Sequence, residues 1–467
     1  MKVLAVISNY GTSNSHFLQK VLRELRSMPH EVDIVILSES PKDFGPEIQV
    51  RVGLPSNDPW TLPFAHKQVF AENVDNYDLF IYDEDDILIT ERHLDAFLDA
   101  TKVLREDEIA GFMRYELDAQ GRCHFCDVHS QFHWDARLTC RRGGHVFGFF
   151  TNEHAGCFFL TQAQLKRAIA SGGFLVPPHR NLYELPETAA TDPYTQCGFR
   201  KMISLTNFED FAVHHMSNRY IGWLGLERSE FYKQISVLTS LNGETTQYLP
   251  LFEVQAKQLG SKCSKSYYEP FDAKLASLIP LDTRSVLSIG CGWGVTEEAI
   301  LKSGREVTAI PLDSIIASLP EEKGIRVIRE SLQEAPKRLH GEQFDCILFS
   351  DGLHLIADPV LLLKDFGSLL SENGCFVASV PNLVRPTILL RAALGQRVYR
   401  DFSTSYDAMG FHLTNRRTLA GWLEKSGFTL VQSDYDIPAK AEFADRLSLG
   451  LMRPLVGTRL NFRASKN

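Results

Sequence analysis

The sequence predicts an α/β chain built from two successive parallel-sheet domains, and three stretches carry that prediction. Residues 3–37 read as strand, polar turn, amphipathic helix and strand again, the start of a parallel sheet. Residues 79–86 run from an apolar strand into four consecutive acids, Asp83, Glu84, Asp85 and Asp86. Residues 285–303 run from another apolar strand through a glycine turn into a helix. At 467 residues the chain is too long for a single hydrophobic core. The expected division is 1–250, a helical linker at 251–283, and 284–467.

Composition narrows the function classes. Apolar residues make up 44%, aromatic residues 10% and charged residues 23%, the balance of an ordinary globular protein. A net charge of −9 argues against a nucleic-acid binder, which needs a basic face. No apolar run approaches the roughly 18 residues of a membrane span. Residues 3–7 are too short for a signal-peptide core and read as a first strand. Nine scattered cysteines point to reduced thiols rather than a disulfide framework, so a cytoplasmic location is expected.

In order along the first half, strand 3–7 closes in the polar turn 8–15, which includes Ser8, Asn9 and Tyr10. A helix over about 16–27 places Phe17, Leu18, Val21, Leu22 and Leu25 on one face, and strand 32–37 follows. A nucleotide-sized crevice is expected above the turn. The turn has neither G-x-G-x-x-G nor a P-loop, so no dinucleotide or P-loop phosphate site is indicated. Five prolines make 41–64 a loop, and a helix over about 65–74 leads to the acidic strand end. Clustered carboxylates repel and must be hydrated, paired or metal-bound. A hard divalent cation takes such oxygens and shares them with substrate phosphates. A solvated turn is the alternative for an acidic run.

A β-α-β half followed by an apolar strand ending in E-D-D resembles the GT-A-type glycosyltransferases. That resemblance implies a nucleotide-sugar donor whose diphosphate is bridged by Mn²⁺ or Mg²⁺. By position it makes Asp86 the metal ligand, with Glu84 and Asp85 on ribose or water; a D-x-D framed on Asp83 and Asp85 is the other register. Ser8, Asn9 and Tyr10 would line the nucleotide. Residues 110–116 resemble a core strand leading to an arginine and an acid near the donor site, and 152–165 the loop, strand and helix start against donor sugar and acceptor. An acid among Glu209 and Asp210 is implied as catalytic base, and one of His214 and His215, with His215 preferred, as a late metal ligand. Whether the anomeric centre is inverted or retained does not follow. Cys123 and Cys126 have a zinc-type spacing, with His129, His133, Cys140 and His145 nearby, but lack a second pair placed as in zinc ribbons, which favours ordinary thiols.

After helices expected at 230–241 and 251–259, the second half opens at residue 284. Gly290, Gly292 and Gly294 follow strand 285–289; strands at 306–310, 325–328, 344–349 and 375–380, helices at 359–370 and 419–427, and a last strand at 458–464 complete the pattern. This order and spacing resemble the class I S-adenosylmethionine-dependent methyltransferases over residues 284–464. The resemblance implies a Rossmann-like seven-stranded domain, with Gly290, Gly292, Gly294, Asp313 and Asp351 at the cofactor; His354 and His412 are candidate bases for a sugar hydroxyl, with a structural role as the alternative for either. Two anchors depart from the family pattern: Ser288 stands where an acid precedes the first glycine, and Pro311 where an acid holds the ribose. Asp313 is the expected substitute. The apolar and basic stretch 443–455 reads as the helix before the last strand, with a peripheral membrane contact as the other reading.

Together these resemblances imply a bifunctional glycan-modifying enzyme that transfers a sugar and O-methylates a glycan or lipid-linked glycan, with no transmembrane segment, at the cytoplasmic face. Rival readings are a glycosyltransferase with an inactive methyltransferase-like scaffold, a methyltransferase with a sugar-nucleotide-binding N-terminal domain, and a non-enzymatic assembly protein.

Overall fold

A computed structural model describes residues 1–241, 250–255, 263–385 and 405–467. The chain forms two compact units, Met1–Thr245 and Thr246–Asn467.

The first unit begins β1 (Lys2–Ser8), β2 (Glu31–Ser38), β3 (Ile48–Val52) and β4 (Leu79–Glu84), followed by the short β5 (Ile87–Leu88). Next come β6 (Glu108–Ala110), β7 (Met113–Leu117), β8 (Cys123–Phe125), β9 (Trp134–Arg142), β10 (His145–Phe150) and β11 (Phe158–Thr161). The set closes with β12 (Arg200–Ser204), β13 (Ala212–His215) and β14 (Leu226–Glu227). The main sheet has the order β11-β4-β1-β2-β3, parallel except for β11 at its edge. Helix Ser15–Ser27 makes the crossover from β1 to β2 and buries Leu18, Val21, Leu22 and Leu25, the face its spacing predicts. Because β2 lies on one side of β1 and β4 on the other, the topology switches between β1 and β4. Ser8 is in register with Glu84, so the acids lie at that switch point.

Two further sheets, β6-β12-β10-β9 and β14-β8-β7-β13-β5, continue this unit. The expected strand at 110–116 is divided between them. At Gly111 the chain leaves β6, and any side chain there would collide with the aliphatic stem of Lys201. Behind β4, His66 lies buried against Tyr82 and Phe158, and Lys67 forms a buried ion pair with Asp192.

The second unit contains β15 (Ser285–Cys291), β16 (Glu306–Pro311), β17 (Arg326–Val327), β18 (Phe344–Phe349), β19 (Leu370–Pro381), β20 (Phe428–Asp436) and β21 (Arg459–Lys466). Their order is β17-β16-β15-β18-β19-β21-β20, and only β21 runs against its neighbours. This is the expected Rossmann-like seven-stranded α/β sheet, with its switch point between β15 and β18. Leu287, Ile289, Ile347 and Phe376 pack with Leu419, Leu423 and Phe428 on one face, and Val286, Cys346, Leu348 and Val377 pack with Ile300 on the other.

The helix expected at 251–259 is not formed by its described residues, 251–255, the remainder lying outside the described residues. There the backbone is drawn into other bonds: Leu251 N–H donates to the Leu312 carbonyl, and the Val254 carbonyl accepts from Lys265 N–H. The stretch expected to be a helix before the last strand forms two short helices, Glu442–Leu447 and Arg453–Val456. Phe443, Leu447, Leu449 and Leu451 are each more than two-thirds exposed. No helix among the described residues is long and apolar enough to cross a membrane.

Candidate functional site

The first candidate site is built where β1 and β4 end. Asn9 and Asn14 each donate a side-chain N–H to Asp85, at 2.6 Å, so both carboxylate oxygens are held by the polar turn. Lys42 in turn holds Asn9, with Nζ 2.7 Å from its Oδ1. Ser8 accepts from the Tyr82 hydroxyl at 3.3 Å, and Tyr10 is exposed at the rim. Asp83 points into the interior, fully buried with neither oxygen hydrogen-bonded, and burial first, then repulsion from Glu84 and Asp86, pushes its carboxyl well above the usual range. Asp85 and Asp86 are also buried, but their carboxylates are held by the polar turn and by His215.

Asp86 meets His215 across 129 residues of sequence. Asp86 Oδ2 is 3.3 Å from His215 Nε2, and Met216 N–H donates to the Asp86 carbonyl. On the other ring nitrogen, His215 Nδ1 donates to Glu116 Oε1 at 2.6 Å, while Glu116 Oε2 accepts from Tyr220 N–H at 2.9 Å. Successive strand residues face opposite ways, which separates the two histidines: His214 stacks on Tyr115 at 5.0 Å instead. Burial opposes a charge on His215, but its bonds to Asp86 and Glu116 raise it to about 9. Burial likewise works to raise Asp86, yet His215 takes it below the usual carboxylate range. Burial, opposed by Arg114 and aided by Asp86, pushes Glu84 up to about 8. Behind these groups Arg114 is locked to Asp127, with Nε and Nη2 donating to Oδ1 at 2.9 and 2.7 Å.

Glu209 and Asp210 are not brought to this cluster. They stand on the turn before β13, at the end away from His215, and Asp210 pairs with Arg92 and Asn207 while Glu209 pairs with Arg228 and Tyr232. Surface cations already take the charge that a free catalytic base would use. Cys123 and Cys126 do not form a zinc site with the nearby histidines. Among the described residues the ligand atoms lying within 4.8 Å of one another are those of Glu116, Cys126 and His215.

The second candidate site is the glycine turn after β15. Gly290 and Gly294 have φ of +73° and +79°, which side chains rarely adopt. Gly292 is required for a different reason: a Cβ there would lie 2.1 Å from the Tyr267 carbonyl, which accepts from Trp293 N–H at 2.9 Å. At Ser288 the Oγ donates to Glu297 of the following helix at 2.6 Å. Glu269 accepts from Lys265 at 2.6 Å and from Ser350 at 3.1 Å, beside the turn. Asp351 pairs with Arg459 at 2.7 Å.

Three expectations change here. Asp313, expected to stand in for the acid that Pro311 lacks, is buried and uses Oδ1 within its own loop, accepting from Ile315 and Ile316 N–H at 2.7 and 2.8 Å. His354 is buried and bonded through Nε2 to the Cys263 carbonyl at 2.8 Å; burial lowers it to about 4. His412 Nε2 faces the Ile356 and Ala357 carbonyls at 3.0 and 3.2 Å. Both imidazoles tie loops together rather than stand ready as bases. The Phe252 ring lies against Gly290, Gly352 and Phe349, and the cleft left between Glu269, Trp293, Glu297 and Ser350 measures about 10 Å³, the room of one water.

Residues 265–433 match the family model described as a methyltransferase domain. The second unit carries a methyltransferase domain. Among curated proteins, the ubiquinone biosynthesis O-methyltransferase of Cereibacter sphaeroides is 29% identical over 116 residues, covering 24% of this chain and 47% of that protein. That of Azorhizobium caulinodans is 31% identical over 115 residues, covering 23% and 44%. The chain thus spans about half the length of these curated relatives. A solved S-adenosylmethionine-dependent methyltransferase from Mesorhizobium loti is 23% identical with a TM-score of 0.31, covering 41% of this chain and 95% of that one.

Proposed function

We propose that this chain is a two-part glycan-modifying enzyme, in which the first unit transfers a sugar from a nucleotide-sugar donor with a divalent cation and the second methylates the glycan from S-adenosylmethionine. The observation that carries the first half is the Asp86–His215 approach of 3.3 Å at the switch point of a parallel sheet. A carboxylate oxygen and an imidazole nitrogen suit Mn²⁺, and Asp85, held by Asn9 and Asn14, fits the ribose or a bound water. The cation, when bound, neutralises charge on the departing nucleoside diphosphate. The test is donor hydrolysis or transfer by the full chain with and without Mn²⁺. Asp86→Asn is expected to lose at least about 100-fold of the metal-dependent rate while staying folded. Unchanged metal-dependent turnover would sink the assignment.

For the second unit, the glycine turn and the carboxylates of Glu269, Glu297 and Asp351 suit the methionine end of S-adenosylmethionine, which when bound supplies an electrophilic methyl group. The ribose end has no carboxylate at Pro311, and Phe252 covers the turn, so the cofactor is expected to bind weakly. The same two features favour a second reading, a methyltransferase-like domain retained as a scaffold. Calorimetric titration of the full chain with S-adenosylmethionine separates them: weak binding supports the enzyme, and no detectable binding supports the scaffold. The exposed Phe443, Leu447, Leu449 and Leu451 are consistent with an acceptor presented at a membrane surface.

A further inference from the structure

Beside the proposed metal ligands stands Glu116, the acid that ends the 110–116 stretch expected near the donor site. From the geometry we infer that Glu116 is a positioning residue, which fixes the tautomer and ring angle of His215 so that Nε2 is presented to a cation shared with Asp86. This rests on the metal-dependent reading above and deepens it.

A neutral imidazole offers a lone pair on one nitrogen only, and the hydrogen bond at the other decides which. Here the Nδ1 side is closed: Glu116 Oε1 lies 2.6 Å away, and an ionised carboxylate only accepts, so Nδ1 carries the proton. Nε2 then faces Asp86 Oδ2 at 3.3 Å and Ser217 Oγ at 3.0 Å. Glu116 is itself held, because its second oxygen accepts from Tyr220 N–H and its strand β7 is paired in parallel with β13, which carries His215. With one oxygen on Nδ1–H and the other on a backbone amide, Glu116 is placed to steer the ring rather than to bind the cation. Carboxylate–histidine–metal relays of this kind hold the ligand ring and raise its basicity.

The rival arrangement gathers Glu116, Cys126 and His215 on one ion, their ligand atoms lying within 4.8 Å of one another, and the ring nitrogen beside Glu116 is Nδ1. It would strip the Nδ1 proton and break the short Glu116 bond. It would also strip the Cys126 thiol of the proton it directs at the Arg114 backbone carbonyl, 3.6 Å away. The geometry therefore assigns Glu116 to His215 and leaves Cys126 outside the site.

The test titrates Mn²⁺ into the full chain without donor, reading free Mn²⁺ by electron paramagnetic resonance and nitrogen coupling to the bound ion by pulsed spectroscopy. Wild type is expected to bind with one imidazole nitrogen coupled. Glu116→Gln should bind about 10–100-fold more weakly with the coupling altered, Glu116→Asp should recover part of the loss, and Cys126→Ser should match wild type. A Glu116→Gln variant that binds as wild type does, or a Cys126→Ser variant as weak as Glu116→Gln, would overturn the inference while leaving the metal site standing. Wild type that binds no Mn²⁺ would overturn both. A measurement needing no variant guards against misfolding: nitrogen shifts of ¹⁵N-histidine-labelled protein with Mg²⁺ should show His215 protonated at Nδ1, and protonation at Nε2 overturns the assignment.

Discussion

His215 carries a carboxylate on each side of its ring, Asp86 beyond Nε2 and Glu116 beyond Nδ1, and that placement makes the metal-free protein sensitive to pH. With its pKa raised from the ordinary 6.5 to about 9, the folded chain holds this proton more tightly than the unfolded chain does. The stability it contributes is full below pH 6.5 and is lost as pH rises through about 9. Glu84, raised from 4.5 to about 8, acts in the same direction, because over that span the unfolded chain gives up the proton more readily. The melting temperature of the metal-free chain should therefore fall between pH 6.5 and 9, and saturating Mn²⁺ should flatten that slope by taking the proton's place. Melting curves at half-unit pH steps check this; a rising melting temperature over the same span would contradict it. The order of the sequence puts His214 and His215 together late in the first half with His215 preferred, and the register of β13 is what turns His215 toward Asp86 and His214 onto Tyr115. Glu209 and Asp210 misled for a related reason. Acids next to a histidine in sequence are read as neighbours of the site, whereas the turn before β13 hands them to Arg92 and Arg228.

At the scale of elements, strongly periodic segments were legible and covering segments were not. The helix Ser15–Ser27 and the strand–glycine–helix of the second unit follow directly from spacing, since burial of one face and a backbone turn without Cβ are local demands. The path of residues 250–255 is not local: it depends on a bond to Leu312 and on the fit of Phe252 against Gly290 and Gly352, about 40 and 100 residues along the chain by sequence position. That segment sets the next prediction. A cover closed nine-tenths of the time costs about tenfold in apparent affinity, so Phe252→Ala should tighten S-adenosylmethionine binding by up to about that factor. Pro311→Asp should add an independent gain, because a charge-assisted hydrogen bond to the ribose is worth about 1.5–3 kcal/mol, or roughly 10–100-fold. Titration calorimetry of both variants and of the double variant decides. A Phe252→Ala chain that binds no better than wild type would mean that the ring is packing and not a cover.

For the whole molecule, the separation into Met1–Thr245 and Thr246–Asn467 makes a prediction that neither site makes alone. Each unit has its own sheets and its own buried core, with Val3 to Ile7 and Phe80 in one and Leu287, Ile347 and Phe376 in the other. Units with separate cores unfold as separate cooperative steps, so calorimetry of the intact chain should resolve two transitions. A ligand that binds only the folded state stabilises by about 2.7 kcal/mol at one hundred times its dissociation constant. For units of this size that corresponds to a shift of roughly 5–10 °C. Mn²⁺ with a nucleoside diphosphate should therefore move one transition, and S-adenosylmethionine the other. Substitution assigns them: Asp86→Asn should cancel the first shift and leave the second, while Phe252→Ala should enlarge the second and leave the first. A single transition moved by both ligands would show that the two units unfold as one, and that sugar transfer and methylation are energetically coupled within the chain. Two transitions with no shift from S-adenosylmethionine, at concentrations reaching millimolar, would leave the first unit as the enzyme and the second as its scaffold.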